Sequence, residues 1–77
     1  MSLAPEIQRL ILDAIPHAKV QVSDNGGGHY SISVVSERFA GLKTLDKKRL
    51  VLGSIASLMQ GADAPLHAVD QLDTLTP

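Results

Sequence analysis

The chain has no cysteine and no tryptophan, and only one tyrosine and one phenylalanine in 77 residues. Without cysteine there is no disulfide framework, no thiolate zinc site and no thiol nucleophile. Any thiol chemistry must come from another molecule. With so few aromatic rings the core is expected to be aliphatic. No apolar run approaches the ~20 residues that cross a bilayer. A basic segment followed by an apolar stretch is missing from the N-terminus, so no signal peptide is expected and a cytoplasmic location follows by default. Enzyme signatures are missing too: no serine stands in a nucleophile–base–orienter arrangement, and no glycine-rich phosphate motif precedes a helix.

The composition that remains, 44% hydrophobic and 19% charged, is that of an ordinary soluble domain rather than a disordered chain. The length suits one domain with a small core. The net charge of −1 is unevenly spread. Arg38, Lys43, Lys47, Lys48 and Arg49 stand against Asp46 alone, so residues 38 to 49 carry +4 and the remainder −5. Such a segment is either an anion or acidic-partner surface or simply a solvated helix face.

Apolar residues at Leu3, Ile7, Leu10, Ile11 and Ala14 repeat with a helical period, so a first helix is expected over Ser2 to Ile15. Ser2 can cap it, Pro5 fits its first turn, and Pro16 stops it. Ala18 to Ser23 alternates apolar and polar residues, the pattern of a half-buried strand. Asp24-Asn25-Gly26-Gly27-Gly28 reads as a turn and Tyr30 to Ser36 as a second strand, together a hairpin. After a connection at Phe39 to Lys43, Thr44 is a candidate N-cap for a second helix. Its expected apolar face is Leu45, Leu52, Ile55 and Met59, widened by Val51 and Leu58. Gly53 inside that helix suggests close approach to the sheet, and Gly61 its C-terminal end. A third strand is expected over Leu66 to Leu72, with residues 73 to 77 trailing off. A helical crossover between strands two and three makes those strands parallel. The expected fold is therefore α+β, in the order α-β-β-α-β, with a three-stranded mixed sheet and both helices on one face.

His67 opens the third strand directly after a proline-containing turn, and His29 opens the second. If those strands are parallel, their starting ends share one edge of the sheet, and the two imidazoles can approach each other. Taken alone, the pair lacks a metal-site spacing, and the residues by themselves favour His67 as a partly buried, backbone-bonded histidine and leave His29 readable as a solvent-exposed residue flanking a turn. His17, after Pro16, is expected to be exposed.

Two stretches, His29-Tyr30-Ser31-Ile32-Ser33-Val34-Val35-Ser36-Glu37-Arg38-Phe39-Ala40-Gly41-Leu42 and Leu66-His67-Ala68-Val69, resemble the BolA family, small proteins on a KH-like (class II) fold. The resemblance covers nearly the whole chain. It implies a non-enzymatic accessory role in iron–sulfur cluster assembly, trafficking or iron signalling, linked to stress response and transcription regulation. It also implies that His67, with His29 beside it, helps hold a [2Fe–2S] cluster shared with a monothiol glutaredoxin and its glutathione. Such a cluster needs four protein or thiol ligands, and this chain offers at most two imidazoles there. No cluster is therefore expected on the isolated chain. Relatives often carry the second ligand within the loop before strand two; here that loop is Asn25-Gly26-Gly27-Gly28, and His29 adjoins it.

Lys47, Lys48 and Arg49 follow closely on the helix start, where cations oppose the helix dipole and, with free N–H groups, can gather an anion. Gly41-Leu42-Lys43-Thr44 lies where KH domains place a Gly-x-x-Gly loop that clamps nucleic acid, with only the first glycine present. A DNA- or RNA-binding regulator is the alternative reading, with Tyr30 and Phe39 the only rings available for stacking and Phe39 expected in the core. The closing Thr76-Pro77 resembles the point after which relatives continue into a tryptophan-bearing helix. Its absence here is expected to cost some stability or partner contact.

Overall fold

A computed structural model describes residues 2–77. Helix α1 (Ala4–Ala14) leads into strand β1 (Lys19–Gly26), strand β2 (His29–Val35) and a single 3₁₀ turn (Glu37–Phe39). Helix α2 (Thr44–Ser54), a second 3₁₀ turn (Ala56–Met59) and strand β3 (Ala68–Leu75) complete the chain. The sheet order is β1-β2-β3, with β1 antiparallel and β3 parallel to β2. This is the expected α+β arrangement.

Alternation in β2 explains the layering. Tyr30, Ile32 and Val34 are buried on the helix-covered face, while Ser31, Ser33 and Val35 point the other way. Ile7 and Ile11 of α1 and Val51 of α2 close over that face, with Ile15, Ile55, Phe39 and Leu66 filling the gaps. Apart from Phe39 and Tyr30 the core is aliphatic. Tyr30 keeps its hydroxyl satisfied by accepting from the Leu3 N–H (2.9 Å) and donating to Asp24 (3.4 Å). One buried ring thus ties the start of α1 to the hairpin.

Several boundaries differ from expectation. The Ser2 hydroxyl accepts from the Ala4 N–H, but Leu3 occupies the cap position of α1. Likewise Lys43, not Thr44, is the cap residue of α2, and it makes no side-chain bond. Helix α2 ends at Ser54, well short of Gly61, because the backbone tightens into the second 3₁₀ turn. Gln60 caps that turn, and Gly61 follows it at φ +88°. The helical period therefore does not carry past Ser54, and Met59 is 38% exposed rather than part of an apolar face. Leu45, in the first turn and rotated away from Val51, is 58% exposed. Gly53 has nothing within 4 Å of the place a Cβ would occupy, so it does not mark a close approach to the sheet.

The third strand is displaced towards the C-terminus. It starts at Ala68 and runs through Asp73 to Leu75, residues expected to trail off. Strict alternation from Val69 would turn Gln71 inward and Leu72 outward. An irregularity against Tyr30 and Ser31 inserts Asp70 as an extra residue, so Val69 pairs with Tyr30 and Leu72 with Ile32. Leu72 thereby returns to the core side.

Candidate functional site

The starting ends of β2 and β3 lie side by side, as parallel pairing requires. His29 is in register with Ala68, and the Gly28 carbonyl accepts from both the His67 N–H (2.8 Å) and the Ala68 N–H (3.2 Å). His67 is exposed, just outside β3 and next to the buried Leu66. His29 is exposed on the first residue of β2.

Both rings flank the same pair of glycines. A Cβ on Gly27 would lie 3.9 Å from the His29 ring, an ordinary contact. A Cβ on Gly28 would lie 2.9 Å from the His67 ring and 3.1 Å from the Pro65 carbonyl oxygen, which is too close. Gly28 also has φ +83°, where a side chain is strained. The sequence suggests only a flexible turn here; the structure adds that Gly28 makes room for the His67 ring.

Asp70 and Asn25 complete the rim, and neither is evident from the sequence. His29 Nδ1 lies 2.9 Å from Asp70 Oδ1. The Asn25 amide donates to Asp70 Oδ2 (3.1 Å) and to the Ser31 hydroxyl (2.9 Å). The bond from His29, then that from Asn25, holds the Asp70 carboxyl below the usual carboxylate range. No sequence spacing signals this contact, because Asp70 and His29 are 41 residues apart and meet through the β3 irregularity.

The basic residues lie elsewhere. Arg38 is in the 3₁₀ turn beyond the far end of β2, where it lines an open groove with Pro16, His17, Lys19, Val35 and Pro77. Seven residues of β2, roughly 20 Å, separate that end from His29. Lys43 and the first turns of α2 follow from the same end. Lys47, Lys48 and Arg49 are contiguous in sequence but dispersed around the helix at about 100° per residue. Lys47 and Lys48 are partly buried and flank the Val51 side, while Arg49 is exposed. Among the described residues, the ion pairs are Arg9 with Glu6 and Asp13, and His29 with Asp70; none involves these five cations. Tyr30 and Phe39 are both buried, so neither offers a stacking surface. His17 is exposed, at φ +70° after Pro16.

The described residues contain no group of three or more His, Asp or Glu placed to hold a metal, and no helix long and apolar enough to cross a membrane. What the rim offers is two exposed imidazoles carried on neighbouring backbone positions at one edge of the sheet.

Among curated proteins, none matches the sequence. A family model described as BolA-like protein matches residues 1–77. A BolA homologue from Coxiella burnetii is 29% identical at TM-score 0.78, covering 100% of this chain and 94% of its own. A bol-like protein from Babesia bovis is 28% identical at TM-score 0.73, covering 100% and 87%. BolA1 from Arabidopsis thaliana, at 19% identity and TM-score 0.82 over 100% and 94%, shares the fold. With the family pattern matched from end to end on this helix–hairpin–helix–strand frame, the chain belongs to the BolA-like family.

Proposed function

We propose that this chain is a non-enzymatic accessory protein in iron–sulfur cluster handling or iron signalling. Its cargo is a [2Fe–2S] cluster held jointly with a monothiol glutaredoxin and glutathione. His67 supplies an imidazole from this chain, and His29 stands beside it as the second donor. The observation that carries this reading is the exposed His67 at the rim, one backbone position from the residue paired with His29.

The donor chemistry fits. Imidazole nitrogen ligates iron in clusters that also use thiolates. The chain has no thiolate of its own, so the remaining ligands come from the partner and its thiol. Arg38 and Lys43, exposed and outside the ion pairs found among the described residues, would steer an acidic partner surface without touching the cluster.

The test is to mix the chain with cluster-loaded monothiol glutaredoxin under anaerobic conditions and to follow visible absorption and iron content. The expected result is a changed spectrum in the complex that His67→Ala reverses. An identical spectrum with His67→Ala removes the ligand role. The nucleic-acid reading keeps only dispersed cations and buried rings. It predicts binding that weakens with salt and with neutralisation of Lys47, Lys48 and Arg49.

A further inference from the structure

Asp70 links the two sides of the rim, bonded to Asn25 on one side and to His29 on the other. It is the extra residue of the β3 irregularity, and its two carboxylate oxygens have separate partners: Oδ1 faces His29 Nδ1 at 2.9 Å, and Oδ2 accepts from Asn25 at 3.1 Å. Asn25 is itself held against the Ser31 hydroxyl at 2.9 Å. The chain Ser31–Asn25–Asp70–His29 therefore fixes the carboxylate before it reaches the ring.

An ionised carboxylate only accepts hydrogen bonds, so Nδ1 must be the donor, and a neutral ring then carries its free lone pair on Nε2. Carboxylates that hold the far nitrogen of a ligating histidine set its tautomer and its orientation in this way. The ring remains 47% exposed, open to an incoming group. We propose that Asp70 is a positioning residue for His29, locking the Nδ1–H tautomer so that Nε2 is the nitrogen presented to the partner-borne cluster. This inference rests on the proposed reading of His29 as a ligand.

The tautomer can be read on the isolated, ¹⁵N-labelled chain by long-range proton–nitrogen NMR with the histidines neutral. The wild type should show His29 mainly as Nδ1–H. Asp70→Ala should reverse the ratio towards Nε2–H and leave His67 unchanged. Asp70→Asn, which preserves the side-chain shape and one acceptor oxygen, should lower the Nδ1–H share by less. A wild-type Nε2–H ring, or a tautomer ratio indifferent to both variants, overturns the inference.

A second readout uses the complex with cluster-loaded glutaredoxin. The visible circular dichroism of the Asp70→Ala complex should move towards that of His29→Ala. If His29→Ala changes the spectrum and neither Asp70 variant does, positioning fails while the ligand role stands. If His29→Ala itself changes nothing, the ligand role of His29 falls and the positioning role with it.

Discussion

The two ends of β2 carry different chemistry. At the His29 end, the side chains are tied to one another: Asn25, Asp70 and His29 form one hydrogen-bonded row, and Gly28 is shaped around the His67 ring. At the Val35 end, Arg38 lines an open groove and is outside the ion pairs found among the described residues. Organised side chains suit directional coordination, whereas loose cations suit long-range attraction. Because the ends are separated by the length of the strand, each can be altered without the other.

The largest expected effect removes the frame that holds both ends. Phe39 is fully buried, and Phe39→Ala should cost about 3–5 kcal/mol. For a domain this small that is a large share of the stability, so the thermal midpoint followed by circular dichroism should fall by more than about 10 °C. Next comes Gly28→Ala, which disturbs one end only. With φ +83° and a 2.9 Å approach to the His67 ring, it should cost at least about 1 kcal/mol. NMR should show shifted His67 signals with those of Arg38 unmoved; shifts confined to Arg38 would break the comparison.

Gly53→Ala should act in the opposite direction. The position is helical, exposed and open, so alanine should stabilise by up to about 1 kcal/mol. That is a rise in Tm of roughly 4–8 °C. The smallest effect concerns pH. The Gly26 N–H, followed by other polar partners, lowers the Asp24 carboxyl below its ordinary value. A carboxyl depressed in the folded state contributes stability above its unfolded pKa and loses it as pH falls through the folded value. Asp24→Asn should flatten the acid limb of the stability curve below about pH 4 and leave its shape unchanged near neutrality.

The order of elements is legible in the sequence because alternation, glycine turns and proline stops are local signals. Parallel pairing of β2 with β3 follows from the helical crossover, and topology alone then brings His29 near His67. The course of β3 is not legible: Val69-Asp70-Gln71-Leu72 breaks alternation, and only pairing with β2 reveals the inserted residue. Asp70 escapes a sequence reading for that reason. Lys47, Lys48 and Arg49 mislead in the other direction, since contiguity in a helix disperses side chains rather than gathering them. Gly53 and Gly61 suggest roles by position alone, and the open space around one and the early end of α2 before the other overrule them.

The most direct measurement is the visible spectrum of the anaerobic complex with cluster-loaded monothiol glutaredoxin, compared across His67→Ala and Arg38→Ala. His67→Ala should alter the cluster bands, whereas Arg38→Ala should preserve them and slow association only at low salt. A spectrum untouched by the loss of His67 would contradict the assignment of this rim as the cluster-binding end.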